Sequence, residues 1–515
     1  MKTCVVRKRI QPYSGSVPVN IADTVYTPPG FGIPKFAICY YTNGSDNDVF
    51  DESTTNRVFG IGFIGLSAAD NTTLLQYTSV IGMQHNLASG SANQSVSGNS
   101  NTRFVSEIRA SDRSAYRQFF GASFGQDKLD FTYANTNTTT WPLDVVFLFF
   151  TGNDIQANIG LTNLNTTASG TVSVTGLTFA PDLVLISGTG YTYNNSQTDG
   201  RLAFGCASRF GTIKNSSSAF RMRAAATGAG TTVSEAVYDN KCFAMFTVNA
   251  NTISTADVTS FNSDGFTITS RESFTNANPS STSQILYMAI KGPSSNIFSL
   301  QNFTSSTSTG ISGIATTDFI PSLVIGALGA VTTTNTLTTS NDSTGLSFFA
   351  AKSLTPKSNY GLGTMSVTSG LTSVTGAGTA FSSLNPGDVI YSSVNTQIGT
   401  ISSASTNTSL TLSSGASATM SSETYSIIPF GQFSVSIGSS NSASTTKIYS
   451  AINTSPFFVA SYGTSATPTT LVKAKVNNFD SYPGFKINYD TANATARKGW
   501  FLAFKDNENR RRDAN

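Results

Sequence analysis

The sequence predicts an all-β chain: three tandem β-sandwich repeats, with a small β-barrel or sandwich module inserted in the third. Three observations carry this. Aromatic and β-branched residues alternate with Ser and Thr along most of the 515 residues, which suits pleated, half-buried surfaces. Turn signals such as Asn43-Gly44, Asp264-Gly265 and Pro386-Gly387-Asp388 cut these runs into short strands, as hairpin-rich sheets require. Finally, a three-part pattern recurs. A strand led in by proline (GFGIPKFAICYYTNG from Gly30, GLTFAPDLVLISGTG from Gly176, ATTDFIPSLVIGALGA from Ala315) precedes a small-residue strand (RVFGIGFIG from Arg57, RLAFGCASR from Arg201, GLSFFAAKS from Gly345). Each unit closes with a turn-and-strand and a last apolar strand: QDKLDFTY with DVVFLFF, NSDGFTIT with QILYMAIKG, DSYPGFKIN with WFLAFKD.

In chain order, residues 1–28 read as a basic N-terminal arm stiffened by Pro12, Pro18 and Pro28. Repeat one follows over 29–152, and a polar Asn/Thr-rich stretch, 153–170, leads to repeat two at 171–292. A Ser/Thr-rich connection, 294–310, precedes repeat three, which is split into 311–362 and 429–506. The split follows from spacing. Arg57, Arg201 and Gly345 stand 144 residues apart and 144 again, yet the gap to the closing aromatic is 74 at Phe131, 65 at Phe266 and 140 at Phe485. The surplus matches the block 363–428, whose apolar residues alternate at Met365-Val367, Val389-Tyr391, Ile398-Ile401, Leu410-Leu412 and Tyr425-Ile427. Such a module grafts onto a loop whose ends lie close together. Residues 507–515 read as a basic C-terminal tail. No segment sustains a period of 3.6; the one short helical candidate is Ser111–Phe119.

Composition narrows the function classes. Charged residues make up 11%, about half the usual share, while 39% of residues are apolar and 36 are Phe, so the chain buries cores and is not disordered. A net charge of +3 is too small to argue for nucleic acid. Cys4, Cys39, Cys206 and Cys242 show no paired spacing and no Cys/His cluster, so neither a disulfide framework nor a zinc site is expected. The start, MKTCVVRKRI, lacks the apolar core of a signal peptide, and no apolar run is long enough to span a bilayer as a helix.

Chemistry-bearing patterns are few. His85 is the single histidine and lies in GMQHNLASG without a nucleophile motif. Gly60, Gly62 and Gly65 satisfy GxGxxG, but Leu66 to Asp70 is too short for the helix that a dinucleotide site needs, so the glycines read as relief for bulky neighbours in a core strand. A glycosidase would need paired carboxylates, and the candidates are Asp48 with Asp51 and Glu52, Glu107 with Asp112, and Glu235 with Asp239. Asp182 and Asp264 read as turn-fixing residues. Tyr191, Tyr193 and Tyr462 are candidates for stacking on sugars. No catalytic, cofactor-binding or metal-ligating set is assigned.

Two stretches carry resemblances. Phe179-Ala-Pro-Asp-Leu-Val184 and Ser260-Phe-Asn-Ser-Asp-Gly-Phe-Thr267 resemble the F-x-P-D-x-V-W-I-K and S-F-x-S-D-G-F-T patterns of a domain found in tailed-phage tail and virion proteins. The match covers about 115 residues, and Leu185 and Ser187 stand where that family has Trp and Lys. Separately, Gly378-Thr-Ala-Phe381, Gly387-Asp-Val-Ile390 and Ser409-Leu-Thr-Leu412 are similar to a β module recurrent in phage structural proteins. The resemblances imply a non-enzymatic structural component of a tailed-phage virion, on the exterior of the particle after synthesis in the host cytoplasm. A tail-associated fibre or adhesin-like role is the first expectation, capsid or neck decoration the alternative, and a glycan-binding or glycan-cleaving spike a further one. A bacterial surface adhesin fits less well without a signal peptide. A homotrimer is expected, because sheet edges need partners, held to other virion proteins through the N-terminal arm. A host-surface glycan is a further candidate partner; nucleic acid and membrane insertion are not expected.

Overall fold

In the computed structural model of the chain the all-β expectation holds: the described residues form 39 strands and no α-helix. The description covers everything except residues 13–18, 29, 44–55, 68, 71, 85–93, 110–114, 136–141, 191–194, 198–199, 224–231, 247–252, 275–282, 316–318, 341–342, 353–362, 385–387, 395, 429–430, 441–446, 454–457, 465–466, 479–483 and 506–515.

Sandwich one carries β1 (Lys2–Ile10), β2 (Val19–Tyr26), β3 (Phe36–Thr42), β4 (Arg57–Ser67) and β5 (Leu74–Gln84). It continues with β6 (Gln94–Ser100), β7 (Val105–Ile108), β8 (Ala115–Gly125), β9 (Lys128–Asn135) and β10 (Leu143–Thr151). Its inner sheet runs β1-β10-β3-β4-β5-β6 and its outer sheet β2-β9-β8-β7. Sandwich two begins with β11 (Gln156–Asn163), β12 (Thr171–Val174), β13 (Leu183–Gly188), β14 (Asn195–Gln197), β15 (Gly200–Ser208) and β16 (Lys214–Arg223). It ends with β17 (Thr232–Tyr238), β18 (Phe243–Phe246), β19 (Ile253–Asn262), β20 (Gly265–Ser270) and β21 (Gln284–Lys291). The inner order is β11-β21-β13-β15-β16-β17 and the outer β12-β20-β19-β18.

Sandwich three opens with β22 (Phe298–Thr304), β23 (Gly310–Ala315), β24 (Leu323–Gly329), β25 (Thr338–Ser340) and β26 (Ser343–Lys352). The inserted module follows: β27 (Thr364–Val367), β28 (Ser373–Ala377), β29 (Val389–Ser392), β30 (Gln397–Thr406), β31 (Ser409–Leu412), β32 (Met420–Glu423) and β33 (Tyr425–Ile428). The host resumes with β34 (Gln432–Ser440), β35 (Lys447–Asn453), β36 (Phe458–Thr464), β37 (Thr467–Asn478), β38 (Phe485–Thr491) and β39 (Lys498–Phe504). Its sheets run β22-β39-β24-β26-β34-β35 and β23-β38-β37-β36. Setting aside β14, β25 and the module, one strand order describes all three sandwiches.

Pro34, Pro181 and Pro321 each stand two residues before the strand that sits third in the inner sheet. Proline cannot donate to a ladder, so it marks the approach to the strand. The residue after each proline begins the pairing. Lys35 donates its N–H to Phe150 O at 2.8 Å, Asp182 to Ile290 O at 2.8 Å and Ser322 to Phe504 O at 2.7 Å.

Several sequence expectations change. Residues 1–28 are not a free arm: β1 pairs with β10 over nine residues and β2 with β9 over eight. The arm's charges hid this. Arg7 and Arg9 both reach the fully buried Asp144, and Lys8 reaches Asp23. Likewise 153–170 and 294–310 contain the first strands of their sandwiches, β11 and β22, not linkers. The helical candidate falls partly on 111–114, outside the described residues, and its remainder begins β8. The tail, 507–515, also lies outside them.

Arg57 and Arg201, which stand at the start of corresponding strands, do not share a register. Arg57 shares its face with Phe59, in the central core, whereas Arg201 shares its face with Ala203, in the core of sandwich two. In a strand a one-residue offset reverses the face, so equal spacing in sequence did not mean equal register.

The module has its own core, Met365, Val374, Phe381, Ile390, Leu410 and Ile427 among others, shared with no host residue. Its sheet runs β32-β27-β28-β31-β30-β29-β33. The terminal members β32 and β33 are separated in sequence by Thr424 alone, so the sheet closes into a barrel. Excising residues 363–428 and joining the ends with a short glycine linker should leave the sandwiches intact, since closing the shorter loop costs little. The check is a cooperative thermal melt near that of the full chain; an insoluble product would make the barrel part of sandwich three.

Candidate functional site

The inner sheets turn one face inward, and those faces meet in a single apolar core drawn from all three sandwiches. Tyr40 of β3, Phe204 of β15 and Phe348 of β26 form its middle. Their ring centroids lie 6.0, 6.2 and 5.7 Å apart pairwise, within the range of favourable aromatic pairs. Phe59 stacks on Phe348 at 5.1 Å, and Trp500 packs on Phe204 at 5.6 Å. The buried Trp500 indole N–H donates to Ser218 Oγ at 3.0 Å, tying sandwich three to sandwich two.

Three boundaries surround this core, and they repeat one scheme. The first strand of a sandwich lies against the fourth or fifth strand of the one before. Thus β11 pairs in parallel with β4 at Asn158 and Ile159. Asn302 of β22 bonds Ser216 of β16 at 2.9 Å. Between sandwiches three and one, Lys352 Nζ donates to Thr3 Oγ1 at 3.1 Å, and Phe150 meets Phe504 at 5.3 Å. In sandwiches one and two the sixth strand of the inner sheet is also capped, β6 by β14 and β17 by β25.

Glu235 is a fully buried acid at the boundary of sandwiches two and three. Its Oε1 accepts Ala330 N–H at 2.7 Å and its Oε2 accepts Gly345 N–H at 3.2 Å, both from the facing sandwich. Burial pushes its carboxyl up to about 8, against partial compensation by these amides and by Arg497. The raised value sets the sign. Stability from the neutral carboxyl is complete below the ordinary carboxylate range and is lost as pH rises through about 8. Melting temperature should therefore fall from pH 5 to pH 9 more steeply in the wild type than in Glu235→Gln. Parallel pH profiles would remove Glu235 as the cause.

The sequence candidates separate once placed. Gly60, Gly62 and Gly65 lie inside β4, with no helix after it. A Cβ at Gly60 would meet the Tyr41 ring at 2.0 Å, one at Gly62 the Phe104 carbonyl oxygen at 1.9 Å, and one at Gly65 the Ile159 side chain at 3.2 Å. Close packing explains them without a phosphate. Glu107 is buried and paired with Arg117 at 2.5 Å while Asn43 Nδ2 donates to it at 2.8 Å. Asp239 lies at the surface on Thr334 and Asn335, whereas Glu235 is enclosed. His85, Asp48, Asp51, Glu52, Asp112, Tyr191 and Tyr193 lie outside the described residues, as does the side chain of Tyr462 on β36.

Asp182 does more than fix a turn. Fully buried, it accepts Gly292 N–H at 3.0 Å and pairs with Arg209 at 2.5 Å and Lys291 at 3.2 Å. Asp264, in the turn before β20, also bonds beyond its own turn: its carboxylate accepts the N–H of Gly176, which lies between β12 and β13, at 3.3 Å. The next residue must be glycine, because a Cβ on Gly265 would lie 1.8 Å from Val174 O. Asp127 has the corresponding place in sandwich one, accepting the N–H of Gly30 at 3.0 Å and that of Gly32. The four cysteines are buried and none is in a disulfide. Among the described residues no cluster of His, Cys, Asp or Glu is arranged for a metal, and no helix could cross a membrane. The chain matches no family model, no curated protein and no solved structure.

Proposed function

We propose that this chain is a non-enzymatic structural component of a tailed-phage virion, with a tail-associated fibre or adhesin-like role as the first reading. One observation supports it above others. The two motifs resembling the phage domain consist of residues that the sandwich itself needs: Pro181 leads in β13, Asp182 clamps its base, and Asp264-Gly265 forms the turn that the closing strand requires. The barrel, with its separate resemblance to a phage module, supports the same origin. Buried hydroxyl-rich sheets with few charges suit a part that presents surface and bears load.

Capsid or neck decoration is the second reading. It draws on the shape of the contacts: the three sandwiches pack on one another around a shared core and do not extend as a shaft. A glycan-cleaving spike has less support, since Glu107 and Glu235 are each enclosed by their partners. Antibodies against the purified chain should label intact particles, with gold at the tail for the first reading and over the head or neck for the second. Particles that never label, while the same antibody detects the chain free in lysate, would sink both.

A further inference from the structure

We infer that a single copy of this chain stands in for a homotrimer, and that it fits a site where three identical partner subunits meet on a three-fold axis. The placement rests on the virion reading above; the single-copy part does not.

Contacts that a homotrimer makes between subunits are here made within one chain. β11 lies on β4, β22 on β16 and β1 on the end of β26, so each sandwich touches the next and the third returns to the first. The central core takes Tyr40, Phe204 and Phe348 from successive sandwiches. A closed ring of this kind needs no second copy to bury its apolar faces.

Sheet edges lead to the same conclusion. The outer sheets leave β2, β12 and β23 at their margins, and each is guarded in a way that discourages pairing with another chain. Lys8 Nζ donates to Asp23 Oδ1 at 2.8 Å and to Thr24 O at 3.3 Å on β2. β12 has only four residues. β23 is bulged between Ile311 and Gly313. The opposite margins, β7, β18 and β36, lie over the inner sheets of their own sandwiches.

A ring of three sandwiches with one strand order offers a partner three near-copies of one surface. Three identical subunits around an axis engage all three, and their contacts act together. The barrel breaks the equivalence, because sandwich three alone carries it. The chain can therefore seat in three rotational settings, told apart by where the barrel points.

The test uses the full chain and the intact particle. Native mass spectrometry should give one chain, 54.2 kDa; a stable trimer would overturn the single-copy claim. A particle reconstruction without imposed symmetry should show one body per three-fold axis. After three-fold averaging the barrel should retain about one third of the body's density. Three bodies around the axis, a body off the axis, or a barrel at full weight after averaging would overturn the placement. Particles lacking the chain would overturn the virion reading and the placement together, while the mass still decides whether one copy closes the ring. The variant without 363–428 should seat on the same axis, and failure to do so would make the barrel, not the ring, the docking element.

Discussion

Removing residues 1–10 should leave a chain that does not fold. β1 puts Cys4, Val5, Val6 and Ile10 into two different cores, with Met1 beside them. At about 1.5–3 kcal/mol for each large apolar side chain, that burial alone approaches the roughly 5–15 kcal/mol by which domains are stable at all. The deletion also strips Asp144 of Arg7 and Arg9. A buried charge that loses its partners costs about 3–5 kcal/mol more. The expected result is insoluble protein or a broad, non-cooperative circular-dichroism melt. Val5→Ala grades the effect, with an expected loss of about 2 kcal/mol. Had the segment been a docking arm, the deletion would melt like the full chain and fail only in assembly.

Gly62→Ala carries the second large effect. The added methyl would sit 1.9 Å from a backbone oxygen, that of Phe104, in the fully buried interior of sandwich one. A flexible side chain could swing aside, but this carbonyl is held because Phe104 N–H is bonded to Phe119 O at 3.1 Å. Interiors packed to crystal density cannot absorb such an overlap, and a loss of roughly 3 kcal/mol or more is expected. Gly176→Ala is the control: nothing lies within 4 Å of its Cβ, and only its φ of +83° opposes the change. That strain costs about 1 kcal/mol. Urea titration of both variants separates the two causes, and equal losses would show that the Phe104 contact yields.

Much of the fold was legible because strand alternation and the three prolines are local signals. β3, β13 and β24 follow their prolines as read, and the strands from Thr364 to Ile428 form a sheet of their own. The first two strands of each sandwich were not legible. β1 reads KTCVVRKRI, and its charges look like solvent until Asp144, more than 130 residues away, is seen to receive two of them. β12 and β22 are short or polar, and they become strands because β20 and β39 offer them ladders. The same limit applies at the site. Asp182 resembled a turn residue because Arg209 and Lys291 are remote in sequence. Glu235 stood out only as one acid near another, since its partners are backbone amides of a different sandwich. Shared patterning marked which residues face a core, but not which of two cores they face.

The common core has a cost in time as well as a benefit in stability. Once Thr151 has emerged from the ribosome, sandwich one can pair all of its inner strands, because β10, the last of them in sequence, joins β1 to β3. The inward face of that sheet, with Phe36, Ile38, Tyr40, Phe59, Ile61 and Phe63, still has nothing to cover it. Trp500, Leu502 and Phe504 complete the cover, and Phe504 follows Thr151 by 504 − 151 = 353 residues. At ordinary elongation rates that interval is on the order of half a minute. For that time the nascent chain carries a broad oily sheet in the open. A chaperone that shields it, or slow enough encounters between neighbouring nascent chains, is thus a condition of high yield. Overexpression at low temperature or with a holdase should raise the soluble fraction far more than it would for three independent sandwiches.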